Sequence, residues 1–137
     1  MTTNTPARKA TRILLALLPV LALNSSGCGK PDITLTGGKP VSHWVKALRS
    51  PDPRQRKEAV FKLGNVGTAD PATLPALLGS LDDRDPVVRR EVVLALVKLG
   101  PAAAEAVPRL VQLRERDRDP KVRGYAARAI DKLGGNK

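Results

Sequence analysis

Hydrophobic positions recur with helical spacing along most of this chain. From residue 41 onward apolar residues return every three to four positions, which places them on one face of α-helices. Asp-Pro pairs and glycines interrupt this pattern at regular places and divide it into six segments. The pattern therefore predicts six helices in three pairs, 41–49 with 53–66, 71–81 with 86–99, and 102–115 with 120–133.

The Asp-Pro pairs mark an internal repeat. They begin at Asp52, Asp85 and Asp119, so that successive copies are 33 and 34 residues apart. An Asp before Pro is typical of a helix start, because the carboxylate caps free N–H groups and Pro needs no N–H at the first helical position. Each copy also has an arginine four residues after the Asp and a glycine, typical of a helix end, eleven residues later. These residues are Arg56, Arg89 and Arg123, and Gly67, Gly100 and Gly134.

The repeat length and the composition together indicate the fold class. A helical hairpin of this size buries its apolar face only against a neighbouring hairpin, so that about three hairpins are needed for a stable stack. Aromatic residues make up only 2% of the chain, and the core must be built from Leu, Val, Ala and Ile. We therefore predict an all-α protein, a short α-solenoid of three helical hairpins.

The repeated unit also resembles a known family. Residues 52–67 read Asp-Pro-x-x-Arg-x-x-Ala-x-x-x-Leu-Gly-x-x-Gly, which is similar to the HEAT repeat and more closely to the subtype named after phycobilisome lyases. The resemblance covers about residues 41–134, and it implies a scaffold, an enzyme accessory subunit or a lyase-like protein. In such arrays the arginine usually pairs with the Asp of a neighbouring turn. The resemblance therefore implies a structural ladder made of Asp52, Arg56, Asp85, Arg89, Asp119 and Arg123.

The first 28 residues have the pattern of an export signal. Basic residues precede an apolar run over 13–23, which is too short to span a membrane and suits a signal peptide. Small residues then precede Cys28, the only cysteine, at the place where a bacterial lipoprotein signal has its lipidated cysteine. We predict a signal peptide over 1–27, a lipidated Cys28 with a flexible tether over 28–40, and a HEAT-repeat domain over 41–137. The protein would then be anchored to the bacterial cell envelope. Ordinary signal cleavage, giving a soluble secreted protein, remains the alternative.

Charge and residue types limit the possible functions. The net charge is +11, and removing the three basic residues of the leader leaves 21 basic and 13 acidic residues, or +8. Acidic residues are interspersed and aromatic stacking platforms are missing, so we do not expect nucleic acid as a partner. One cysteine and one histidine, His43, give no ligand set for zinc, and no nucleophile–base cluster is visible. We expect no cofactor, no metal and no catalytic activity.

One row of residues is the candidate binding site. The buried positions of the second helices are filled by other residues, which leaves Phe61, Leu94, Tyr125 and Arg128 facing outward, on the face that is concave in HEAT arrays. Large apolar side chains and arginine often dominate binding energy in protein interfaces. We predict a membrane-anchored scaffold or adaptor that binds a protein or peptide there. The alternatives are a lyase-like or accessory enzyme subunit, and a module that binds the envelope surface by charge.

Overall fold

The computed structural model describes residues 38–134 of the chain. Six α-helices lie in this range, and short 3₁₀ turns connect several of them. The helices are α1 (Val41–Ala47), α2 (Pro53–Val66), α3 (Thr73–Gly79), α4 (Pro86–Leu99), α5 (Val107–Arg116) and α6 (Pro120–Gly134). They form three hairpins, α1–α2, α3–α4 and α5–α6, and the all-α solenoid predicted from the repeat is confirmed.

The second helix of each hairpin begins at the Asp-Pro pair as predicted. The Asp52 carboxylate accepts a hydrogen bond from the Arg54 N–H at 2.8 Å, and Asp85 accepts one from Val87 N–H at 2.7 Å. Asp119 caps α6 in the same way through the N–H of Val122. At the other ends, α2 and α4 stop at glycines with positive φ, Gly67 at 62° and Gly100 at 64°. Residues with a Cβ are strained in that conformation, so the repeated glycine has a local structural cause.

The first helices of the second and third hairpins begin later than predicted. We expected them to start near 71 and 102, but α3 begins at Thr73 and α5 begins at Val107 after a 3₁₀ segment over Gly100–Ala106. Proline explains the difference, because inside an α-helix its ring clashes with the carbonyl of the residue four positions earlier. Pro75 and Pro108 are tolerated only in a first turn, so the α-helix must start close to each of them.

The core is a continuous apolar layer between the hairpins. The helices that follow the Asp-Pro pairs lie side by side, since α2 packs against α4 and α4 packs against α6. Their buried residues are aliphatic, with Leu63 and Leu96 fully enclosed between neighbouring hairpins. Leu77, Leu81 and Leu110 fill the side formed by the first helices and their turns. The first and second hairpins thus each complete their core with residues of the next one, which is how a repeat array gains stability.

The predictions about the N-terminal part of the chain concern residues that the structure does not describe. The signal peptide, Cys28 and most of the tether lie outside the described residues. Within 38–134, none of the helices is long and apolar enough to cross a bilayer.

Candidate functional site

The row of predicted binding residues lies on the surface formed by α2, α4 and α6. We call this surface the second-helix face and define it by Phe61, Leu94, Tyr125 and Arg128. Phe61 on α2 is 53% exposed and Leu94 on α4 is 46% exposed, which makes them two of the three large exposed hydrophobic residues of the described chain. Tyr125 is partly buried against the core, and Arg128 is exposed. Side chains of this size are rarely left in water without a covering partner when they occur in a contiguous patch.

Three of the four residues line one hollow. A cavity of about 280 Å³ opens between α4 and α6, and its lining includes Leu94, Tyr125 and Arg128. Its other walls are aliphatic near the core and charged at the rim, formed by Val93, Val97, Ala129, Asp131 and Lys132. An apolar floor with a charged rim is the usual arrangement of a protein interface. Phe61 lies outside this lining, one helix away on α2.

The side chains of Tyr125 and Arg128 hold each other in place. They are three residues apart on α6, and the Arg128 guanidinium carbon lies 5.2 Å from the centre of the Tyr125 ring. This cation–π contact restricts the rotamers of both side chains before any ligand binds. Less conformational entropy is then lost on binding, which favours affinity at this position.

Two of the three repeated arginines, Arg56 and Arg89, bridge successive hairpins. Arg56 binds Asp83 through two parallel hydrogen bonds, Nε–Oδ2 at 2.7 Å and Nη2–Oδ1 at 2.9 Å. Arg89 binds Asp117 in the same way at 2.8 and 2.7 Å. A ladder therefore exists, but its acidic members differ from those we expected.

The difference has a geometric cause. Asp52, Asp85 and Asp119 use their carboxylates to cap the helices that they precede, so the carboxylate that reaches the arginine comes from two residues earlier in the next turn. The sequence contains a signal for this, because Asp83 and Asp117 stand at the same place in Asp-Arg-Asp-Pro. The first turn has Ser50 there instead. Because the first copy lacks this Asp, the ladder's acidic position does not repeat in all three copies of the sequence.

The ladder pairs alter the acidity of their members. Hydrogen bonds to Asp83 and Asp117 raise the pKa of Arg56 and of Arg89, respectively, above the ordinary value, against the opposing effect of burial. Burial by itself would raise the pKa of Asp117, but hydrogen bonds from Arg89 and from the Asp119 N–H outweigh it and lower this pKa. All three groups are therefore held in their charged forms.

The charged turns form a second, larger hollow. It has a volume of about 860 Å³ and lies between residues 81–86 and the end of α5 with the turn that follows it. Two of its arginines are paired within the protein, Arg89 with Asp117 and Arg109 with Asp82. Asp83 of the same turn binds Arg56 as Asp82 binds Arg109, and no group of potential metal ligands occurs among residues 38–134.

Trp44 occupies the first hairpin rather than an open surface. Only 6% of it is exposed, and its indole is covered by the amines of Lys39 and Lys62, at 5.4 and 5.6 Å from the ring centre. His43 contacts the same ring edge-on, with ring centroids 4.9 Å apart. We therefore assign Trp44 to the packing of the array's first hairpin.

Comparison with known proteins agrees with this architecture. A family model described as HEAT repeats matches residues 41–131, about two thirds of the chain. No curated protein matches the chain.

Among solved structures, a similar chain occurs in the complex of CpcE and CpcF of phycocyanin lyase from Nostoc sp. PCC7120. The two chains share 28% sequence identity, with a TM-score of 0.59 over 79% of this protein. The match spans 41% of that chain, so this protein corresponds to less than half of the similar one. The resemblance to lyase-type HEAT repeats seen in the sequence is thus confirmed.

Proposed function

We propose that this chain, which belongs to the HEAT-repeat family, is an adaptor that binds a protein or peptide on its second-helix face. The observation that carries the proposal is the hollow between α4 and α6, where exposed Leu94 adjoins the stacked pair Tyr125 and Arg128. Tyr and Arg are enriched among the residues that dominate binding energy, and the aliphatic floor supplies buried apolar area. The adaptor has no catalytic role of its own in this proposal.

The similar solved structure supports a role in protein assembly. In it, the similar chain is part of a complex of two named proteins, CpcE and CpcF. A module of the same fold can therefore be part of a larger assembly. For the present chain the partner would be a polypeptide with an apolar anchor that fills the hollow and polar groups that meet its rim at Asp131 and Lys132.

A site-specific photocrosslinker tests the docking face. Benzophenone side chains would be placed singly at Phe61 and Leu94, and at Val87 as a control. Val87 is also exposed on α4, at 40%, but it does not line the hollow. We expect adducts with the same protein from positions 61 and 94 and none from 87. Adducts that form equally from all three positions, or only from 87, would remove the support for this face.

Alanine substitution then measures the contribution of the hollow. Changing Leu94 and Tyr125 to Ala should weaken binding of the crosslinked partner at least tenfold while Val87→Ala has no effect. The complex should persist in about 0.5 M salt if apolar docking dominates. A complex that dissociates in that salt would favour binding by charge to an envelope surface.

A second candidate function rests on the similarity to the phycocyanin lyase chain. In this alternative the protein is a lyase-like or accessory subunit that assists the loading of an enzyme's cofactor. It predicts that the crosslinked partner is an enzyme whose cofactor content falls when this chain is deleted. A partner whose cofactor content is unchanged by the deletion would leave the adaptor as the remaining function.

The proposal also includes attachment to a membrane, for which residues 1–28 of the sequence are the basis. We infer that Cys28 carries a lipid and becomes the first residue of the mature protein, because the only cysteine follows a signal-like leader. Mass spectrometry of membrane-extracted protein should find an N-terminus at Cys28 with added acyl mass. An unmodified Cys28 would favour a soluble secreted protein instead.

A further inference from the structure

The three repeated arginines make the same first contact, within their own turn. Their Nη1 atoms donate to a backbone carbonyl six residues earlier, Arg56 to Ser50 at 2.9 Å, Arg89 to Asp83 at 2.6 Å, and Arg123 to Asp117 at 2.8 Å. This bond fixes one edge of each guanidinium. In Arg56 and Arg89 the other edge, formed by Nε and Nη2, is directed to the next hairpin.

The second contact is complete in only two of the three copies. Nε and Nη2 of Arg56 and Arg89 each hold an Asp of the following hairpin. Within residues 38–134, the same two nitrogens of Arg123 make no hydrogen bond. Arg123 therefore makes the same contact within its own turn as the other two arginines, but its Nε and Nη2 donate to no carboxylate of the described chain.

The apolar positions beside Arg123 are incompletely covered as well. Val60 and Val93 are buried, with exposures of 0% and 1%, whereas Ala127 at the equivalent position of α6 is partly exposed. In the same way Leu63 and Leu96 are fully buried, and their equivalent Ile130 is partly exposed. An apolar contact and an ionic contact are thus both left open at the same end of the described array. We call Arg123, Ala127 and Ile130 the open rung.

We propose that the open rung is an interaction surface for a helical hairpin of a partner protein whose turn presents an Asp carboxylate to Arg123. The interface would continue the packing already present between the hairpins of this chain. A guanidinium fork matches a carboxylate with two parallel hydrogen bonds, which fixes orientation as well as charge. A hairpin without an acidic residue at that point would leave Arg123 partly desolvated and unpaired, so the surface selects its partner.

The partner is not a second copy of this chain stacked through its first turn. In the first turn the position of Asp83 and Asp117 is taken by Ser50, whose hydroxyl accepts the Asp52 N–H as Asp83 accepts the Asp85 N–H. Stacking of a second copy would therefore bring a hydroxyl to Arg123 in place of a carboxylate. The carboxylate that pairs with Arg123 therefore has to come from a hairpin with a different sequence.

A tandem protein provides a defined probe. Residues 135–137 of the full chain would be replaced by a second copy of residues 101–134, so that the appended Pro101 follows Gly134 as the original follows Gly100. The appended hairpin then presents its own copy of Asp117 to Arg123. If the rung is a docking surface, the tandem protein should unfold in one transition at a higher denaturant concentration than the original chain.

A double-mutant cycle in the tandem protein isolates the ionic contact. It combines Arg123→Gln in the original third hairpin with Asp117→Asn in the appended copy, so that the original Asp117, which binds Arg89, is kept. We expect the two effects on the unfolding equilibrium constant to be coupled by about tenfold or more. The control cycle combines Asp117→Asn in the appended copy with Arg118→Gln in the original third hairpin. Arg118 is an exposed arginine in the turn before α6, and this pair should show no coupling.

Two results would overturn the proposal. One is a cycle with Arg123 that is additive within about twofold, like the control. The other is a separate unfolding transition of the appended hairpin, which would mean that the end of the array does not accept a further layer. Neither result affects the second-helix face, which lies on different residues and is tested by crosslinking.

Discussion

Arg89 and Asp117 connect the second and third hairpins through two parallel hydrogen bonds of 2.8 and 2.7 Å. The two side chains are 28 residues apart in sequence, and they are only 13% and 3% exposed. A pair that is so nearly enclosed behaves differently from an ion pair on the surface. If one member is removed, the other remains as a desolvated charge that water cannot easily reach.

We expect Asp117→Asn to lower the free energy of unfolding by about 3 kcal/mol. The matched control is Asp82→Asn. Asp82 pairs with Arg109 across the same kind of hairpin contact, but these side chains are 70% and 44% exposed. That variant should cost no more than about 1 kcal/mol. Urea unfolding followed by circular dichroism measures both, and equal losses would show that burial does not strengthen the ladder.

The same pair predicts a dependence of stability on acid. The folded-state pKa of Asp117 lies below its ordinary value of about 3.8. The unfolded chain then binds a proton more readily than the folded one, so the contribution of Asp117 is fully present above that pH and is lost as the pH falls towards the folded-state pKa. The stability difference between the wild type and Asp117→Asn should therefore shrink below about pH 4. A difference that stays constant between pH 7 and pH 3 would contradict the assignment.

The helices were predictable because their signals are local and repeated. An Asp that caps a helix, a Pro in its first turn and a Gly with positive φ at its end each act within a few residues, so α2 and α4 begin and end where the pattern indicated. The start of α5 was harder to predict from the sequence. Its alanines favour an α-helix over 102–106, and only the position of Pro108 decides against it.

Contacts between hairpins were harder to predict than the hairpins themselves. Arg56 has two candidate acids nearby, Asp85 and Asp83, and sequence spacing does not tell which one is already used as a helix cap. The candidate site shows the same limit. The period places Phe61 and Leu94 at equivalent positions, but the hollow lies between α4 and α6, and its lining includes Leu94 and not Phe61.

Thr73 offers a test of a buried polar group. Its side chain is fully buried at the start of α3, and within the described residues its hydroxyl has no hydrogen-bond partner. Removing a buried hydroxyl that makes no bond, without a change of volume, should be neutral or stabilising by up to about 1 kcal/mol. Thr73→Val is therefore expected to leave the unfolding midpoint unchanged or to raise it, and a lower midpoint would contradict the assignment. The comparison variant Thr73→Ser keeps the hydroxyl and loses the methyl group, and it should lower the midpoint.

Gly64 lies at a close contact between the first two hairpins. A Cβ at this position of α2 would lie 2.9 Å from the Cβ of Ala95 on α4, closer than two carbon atoms can pack, and 3.4 Å from its Cα. The gain in helix propensity from Gly to Ala, about 1 kcal/mol, is then opposed by a steric cost of about 1–3 kcal/mol. We expect Gly64→Ala to lower the free energy of unfolding by about 1 kcal/mol.

Gly79 supplies the matched control for this substitution. It lies at the end of α3 with helical dihedral angles, and a Cβ there would meet no atom within 4 Å. Gly79→Ala should therefore be neutral or stabilising. The double variant Gly64→Ala with Ala95→Gly completes the test, because it restores the space between α2 and α4. Since the two residues touch, their effects should be non-additive, and the double variant should be more stable than the sum of the single losses predicts. Additive losses would mean that the helices separate freely and that the close approach at Gly64 does not hold the hairpins together.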